Sequence, residues 1–273
     1  MTFQAGIVDT SLSRRLIKAR ALYWAAFVGV PLVLAVVGAL LAYQPEALGV
    51  HVRRPSVKSY GLAVVFVVMV VGSGAIGWLV RNRPRVWVNV ASGVGLVVGA
   101  HFGLVAVMAL RAQGAMVMVF LVTMLCCSLV AFAARRVLLH PLTPDLAGTA
   151  LHVPVWVRGN ASVSLTVGHD KLTLRRTSKS AKFAVKHELG RVRAIEVGQF
   201  PEDTRVSVTL GDPGEPDPAK ADFAADAGPT LRVRFPDHVM EIPVREPDAM
   251  AELLRRRVDS AKINASPAGN SVL

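Results

Sequence analysis

Four apolar runs dominate the first half of the chain: Leu22 to Tyr43, Gly61 to Val80, Val86 to Leu110 and Ala115 to Ala134, none containing Asp, Glu, Lys or Arg. A helix needs about 20 mostly apolar residues to cross the hydrocarbon core of a bilayer. Each run meets that length, and no single soluble core accommodates four of them. From about Leu142 the pattern changes to short alternating segments broken by Gly, Pro and Asp, the signature of a mostly-β water-soluble domain. The expected fold class is a multi-span bundle of four transmembrane helices over residues 22–141, followed by a mostly-β domain over 142–262. A short N-terminal segment, 1–21, precedes them and a disordered tail, 263–273, follows.

The charge is unevenly divided. Before Thr143 there are thirteen Lys and Arg against two acids, Asp9 and Glu46, whereas the remainder of the chain is nearly balanced, eighteen against seventeen. The basic excess therefore sits in loops beside the apolar runs, where lipid headgroups are the nearest partner, and argues against nucleic-acid binding, which would put a basic face on the folded domain. Short loops rich in Lys and Arg stay in the cytoplasm. With the N-terminus inside, the inner side holds Arg14, Arg15, Lys18, Arg20, Arg81, Arg83, Arg85, Arg135 and Arg136. The outer side holds Arg53, Arg54, Lys58 and Arg111. The expectation is a multi-pass cell-membrane protein with both termini and the β domain cytoplasmic. Tyr23, Trp24, Tyr43, Tyr60, Trp78 and Trp87 fall at the run ends, where amphipathic rings favour the headgroup layer. The first run is too long for a cleavable signal core and lacks a small-residue cleavage site, so it is expected as a retained anchor.

Within the runs, Gly95, Gly99 and Gly103 recur every four residues and form one helix stripe. Such stripes let helix backbones approach closely, within a bundle or between copies of a chain. Gly72, Gly74 and Gly77 spell a dinucleotide-type glycine pattern, but without a preceding strand the nucleotide reading fails. Pro31 is expected to kink the first span. His101 is the intramembrane ionisable candidate, with Asn89 as a second polar position and Ser92 as interhelical glue; no Asp or Glu lies in any run to complete a proton relay. Cys126 and Cys127 are the only cysteines and are adjacent, which excludes a disulfide framework and suits packing. No metal-ligand spacing or cofactor motif is present.

In the second half, strands are expected at Leu151 to Val157, Ser162 to Val167, Lys171 to Arg176, Lys182 to Lys186, Arg193 to Val197, Arg205 to Leu210, Thr230 to Phe235 and Val239 to Val244. Turns fall at Gly159-Asn160, Gly168-His169-Asp170 and Pro236-Asp237-His238. Glu246-Pro247-Asp248 starts a helix whose apolar face runs Met250, Leu253, Leu254, Val258 through Arg257. The acids of Gly211 to Gly228 lack the spacing of a calcium loop, and that Pro-, Ala- and Asp-rich segment is expected as a disordered insertion. The formal sequons at Asn160 and Asn264 carry no weight for a cytoplasmic domain.

The segments SVSLTVGHDKLTLRR (162–176), FAVKHELGRVRAIEVG (183–198) and TLRVRFPDHVMEIPVREPDAMAELLRRRV (230–258), a meander of about seven strands closed by a C-terminal helix, are similar to the pleckstrin-homology-like domains of bacterial membrane proteins. The resemblance covers a little under half of the chain and implies a non-catalytic binding or scaffolding module. The bias toward Ala, Val and Arg fits a GC-rich bacterium. Arg175, Arg176, Lys179, Lys182, Lys186, Arg191 and Arg193 crowd nineteen residues, opposed by Glu188 alone; such an edge suits anionic lipid or an acidic protein. The leading expectation is a membrane adaptor or accessory subunit whose β domain binds a protein partner or the inner leaflet. The alternatives are a small transporter or membrane enzyme using His101, with the domain as regulator, and a homo-oligomeric structural protein.

Overall fold

The computed structural model describes residues 10–43, 60–110, 113–160, 162–177, 182–210 and 219–265. They form two compact units, one helical over residues 9–138 and one mostly β from residue 139 onward.

In the helical unit, α1 (Thr10–Trp24) passes through a π-helical turn, Ala25–Gly29, directly into α2 (Val30–Tyr43). The first helix thus starts well before the expected Leu22, because the segment from Ser11 to Ala21 offers good helix formers and no breaker. The irregularity expected at Pro31 takes the form of that π turn: Pro31 has no N–H to donate, and the Val30 N–H bonds to the Ala25 carbonyl five residues back. After α3 (Tyr60–Val80) and α4 (Trp87–Leu110), α5 (Gln113–Leu139) outlasts its expected end at Ala134, carrying Arg135 and Arg136 in its last turns. Among the described residues three helices are long and apolar enough to cross a membrane, Ser11–Leu40, Trp87–Val105 and Met116–Leu139, and Val64–Val80 is a shorter apolar helix. Val33, Val68, Val71, Met118 and Leu129 are among the large apolar side chains on the outer surface.

An aromatic knot ties this unit together. Tyr23 packs on Phe27 and Trp87 at ring-centre distances of 4.7 and 4.5 Å, and its hydroxyl donates to the Gly77 carbonyl. The Trp87 indole N–H donates to the Val80 carbonyl at 3.1 Å. Lower on the same helices, Phe66 and Phe102 stack at 4.9 Å. Arg15 donates to the Val137 and Leu138 carbonyls at 3.2 Å each, where a cation also meets the negative end of the α5 dipole. These contacts bring the basic part of α1, the turn over residues 81–86 and the basic end of α5 to one end of the unit.

The β unit has nine strands among the described residues, against the seven or eight expected. A four-stranded antiparallel sheet runs β1 (Val153–Trp156), β2 (Val163–Val167), β3 (Lys171–Thr177), β4 (Lys182–Glu188). A three-stranded sheet orders β5 (Ala194–Phe200), β8 (Gly228–Arg234), β9 (Val239–Pro243). Between β5 and β8 in sequence lies a separate hairpin of β6 (Thr204–Leu210) and β7 (Ala219–Ala225). The hairpin corrects the expected insertion: β7 occupies part of Gly211 to Gly228, while residues 211–218 lie outside the described residues. Alanine-rich β7 has weak strand propensity, and its pairing with the β-branched positions of β6, Val206 opposite Phe223, sets its conformation. Closing the domain, α6 (Pro247–Ala265) extends into the expected tail. It lays Met250, Leu253, Leu254 and Val258 on a core of Leu165, Leu172, Leu174, Leu231, Val233 and Ile242.

Arg257 occupies the same stripe of α6 and is 1% exposed. One guanidinium nitrogen donates to the carbonyls of Val167 (2.6 Å) and Gly168 (2.8 Å). The other reaches Leu146 (3.1 Å), Thr149 (3.2 Å) and Leu151 (2.7 Å). Burial lowers its pKa to about 10, so the group stays charged at neutral pH. Five carbonyls that end strands and turns converge on one planar donor fork. We expect Arg257→Leu to destabilise the β unit by about 3 kcal/mol or more. Arg257→Lys should recover little, because one ammonium cannot span both carbonyl groups. Hydrogen exchange of the Leu165, Val167 and Leu172 amides in the full-length protein measures both effects.

Candidate functional site

Register determines which basic side chains share a face, since directly opposed residues of an antiparallel pair point the same way. Across the first sheet, Trp156 opposes Ser164, Ser164 opposes Arg175 and Arg175 opposes Ala184. The neighbouring row runs Pro154, Thr166, Thr173, Lys186, and Lys171 opposes Glu188. Trp156, Lys171, Arg175 and Lys186 are exposed, so one face presents an aromatic ring and three cations against a single carboxylate. Strands lie about 4.8 Å apart, which puts Trp156 and Arg175 about 10 Å from one another at their backbones. Trp156 and Lys171 carry this face with two of the sequence candidates; period-two alternation within each strand holds the signal, but only the pairing joins the strands.

The other basic candidates separate. Arg176, one residue on, points to the opposite face and donates to the Asp222 carbonyl of β7 at 2.8 Å. Arg191 lies in the 3-10 turn Leu189–Arg191, 3.7 Å from the Asp237 carboxylate. Arg193 is exposed at the entry to β5 and its backbone N–H bonds to the Arg234 carbonyl. Lys182 opposes Thr177 by backbone register, and Lys179 lies outside the described residues. The outer face of the second sheet offers no comparable charge: Arg232 pairs with Glu241 at 3.0 Å and Arg234 with Glu196 at 3.2 Å, while the Thr230 hydroxyl donates to Glu241 at 2.7 Å.

In the helical unit the Gly95, Gly99 and Gly103 stripe faces α5. A Cβ would stand 2.8 Å from the Met124 Cα at Gly95, 3.0 Å from the Phe120 Cα at Gly99 and 2.8 Å from the Met116 carbonyl oxygen at Gly103. A seam between copies on this face would first have to displace α5. Ser92 and Ser128 share a 2.7 Å hydrogen bond across the same two helices. Asn89 is exposed. His101 stands edge-on to the stacked pair of Phe66 and Phe102, 5.9 Å from each ring, and its buried Nε2 has no hydrogen-bond partner among the described residues. Cys127 is buried and Cys126 exposed.

A third cluster was not singled out by sequence. His187 of β4 packs on Phe235 and His238 at 4.6 and 4.9 Å, and the His238 Nδ1 lies 3.2 Å from Asp237. Burial, with the charges of His238 and Arg191, drives the His187 pKa down to about 4 against the opposing pull of Asp237. Among the described residues no group of three or more His, Cys, Asp or Glu could hold a metal ion. Comparisons with models of known protein families, with curated proteins and with solved structures find no match.

Two expectations follow. Gly95→Leu should lower the melting temperature of the protein in detergent micelles without changing its oligomeric state, whereas Gly93→Leu, where a Cβ meets nothing within 4 Å, should be tolerated; heated size-exclusion profiles compare them. For His187 the folded pKa lies below the unfolded value of 6.5, so unfolding takes up a proton and stability falls as pH drops from 6.5 toward about 4. His187→Phe should flatten that part of the pH profile of unfolding.

Proposed function

We propose that the chain is an integral membrane accessory protein: a four-span anchor carrying a cytoplasmic, pleckstrin-homology-like module that docks on the anionic inner leaflet. α3 supports the fourth span, since its 21 residues give about 31 Å of helix, the thickness of the hydrocarbon core. Collection of the basic segments at one end of the helical unit supports both termini inside. A four-stranded and a three-stranded antiparallel sheet closed by a C-terminal helix support the pleckstrin-homology-like reading, with the β6–β7 hairpin as an elaboration.

The observation that carries the function is the outer face of the first sheet. A face that carries Trp156 together with Arg175, Lys171 and Lys186 has the composition of a surface that meets a headgroup layer: the ring prefers the interface, and each cation near an anionic leaflet contributes about 1 kcal/mol. The mechanism is positioning. The covalent anchor raises the effective concentration of the module at the bilayer, so weak face-to-lipid contacts suffice to hold it there.

In nanodiscs of phosphatidylglycerol, β2 to β4 of the full-length protein should exchange amide hydrogens more slowly than in nanodiscs of phosphatidylcholine. Arg175→Glu with Lys186→Glu should abolish the difference, as should added salt. Equal exchange in both lipids would remove leaflet docking. If the same double variant then also lost an acidic protein captured from native membranes, the face would belong to a protein partner.

A further inference from the structure

A groove of about 560 Å³ opens between α3 and α4, within the size range of small-molecule sites. Its walls are apolar, with Val68, Gly72 and Ile76 from α3 and Val90, Gly93 and Val97 from α4. Val68, Ile76 and Val97 are exposed. The Ser73 hydroxyl beside it is already spent on the Val70 carbonyl at 2.9 Å. Gly72 and Gly93 shape the concavity: among the described residues a Cβ at either would meet no heavy atom within 4 Å. Gly95, two residues along the same helix, is by contrast closed by α5. Packing among the described residues therefore accounts for Gly95 and leaves the space over Gly72 and Gly93 unfilled by them.

The charge at one end of the groove says what fits it. Ile76 and Val90 are each five residues from the turn that joins the helices, about 7.5 Å of helix rise from Arg81 and Arg85. Arg81 and Arg83 are exposed, and the Arg81 guanidinium rests 3.5 Å above the Trp78 ring. Arg85 adds its charge near that of Arg135. An apolar slot capped within 10 Å by concentrated positive charge is complementary to an amphiphile with an acyl chain and an anionic head. A helix from a second copy would fill the slot but, since the apolar runs carry no Asp or Glu, would bring no anion to Arg81 and Arg83.

We propose that the α3–α4 hairpin is a binding site for one anionic phospholipid, with an acyl chain lying over Gly72 and Gly93 and the phosphate-bearing headgroup on Arg81 and Arg83. The site rests on α3 crossing the bilayer and is independent of what the β unit binds.

The test is native mass spectrometry of the full-length protein after incubation in detergent with equal amounts of dioleoyl phosphatidylglycerol and dioleoyl phosphatidylcholine. The wild type should retain the glycerol lipid by about tenfold over the choline lipid, from roughly a fivefold contribution per cation less partial screening. Gly93→Leu should lose both lipids several-fold with an unchanged melting temperature, and Gly72→Leu on the opposite wall repeats the measurement should that variant misfold. Arg81→Gln with Arg83→Gln should keep a lipid but lose the preference. Equal retention of the two lipids by the wild type, or unchanged retention in both glycine variants, overturns the site. A wild-type dimer that Gly93→Leu dissociates overturns it in favour of a second copy. Val71→Cys, on a Cys126→Ala and Cys127→Ala background, separates the underlying assumption. Ready labelling by a water-soluble maleimide would remove α3 from the bilayer and the site with it, whereas protection without a lipid preference would remove the site alone.

Discussion

The β unit depends on a buried cation. Arg257 stands where the periodicity of α6 calls for a leucine, between Leu253 and Leu254 and next to Val258, and its guanidinium gathers carbonyls from the 3-10 turn Pro144–Gly148, from the entry to β1 and from the end of β2. An apolar residue there would take the guanidinium donors away from all of them, and a buried carbonyl left without a partner costs about 1–3 kcal/mol; the Leu146 carbonyl would keep its bonds from Thr149. No carboxylate among its hydrogen-bond partners neutralises the charge; oriented backbone dipoles do so instead. Such an arrangement works only if all of its members are in place together, which makes the closure of helix on sheet a cooperative event.

The helical unit solves a different problem. Its outer surface is apolar, so burial of hydrocarbon does not distinguish one helix pairing from another in lipid, and close backbone approach and hydrogen bonds take over. The glycine stripe of α4 against α5, the Ser92–Ser128 bond and the Tyr23 and Trp87 donors to carbonyls at the ends of α3 are the specific terms. Along α4 the same residue type has two uses: at Gly95 a missing side chain admits a neighbouring helix, and at Gly93 it leaves open space.

Electrostatics in the β unit is sorted by parity. Seven basic residues crowded in sequence do not make one patch, because successive strand residues face opposite ways. Arg175 and Arg176 are adjacent in the chain and on opposite sides of the sheet. The face that does form adds Lys171 from the far end of β3 and recruits Trp156 from β1, which proximity in sequence would not select.

What the sequence determined by itself is what local chemistry determines: uncharged runs long enough to span a bilayer, hairpin turns such as Gly168-His169-Asp170 between alternating strands, an amphipathic last helix and the four-residue spacing of a glycine stripe. What only the tertiary structure decided is what depends on partners distant in the chain. β7 is a strand because β6 pairs with it, despite a composition that reads as disorder. Arg257 is a core residue because carbonyls more than eighty residues away converge on it, and His187 is held neutral because the β8–β9 turn brings Phe235 and His238 against it. Periodicity records which way a side chain points, but the energy of burying it is set by what stands opposite, and only the folded chain supplies that.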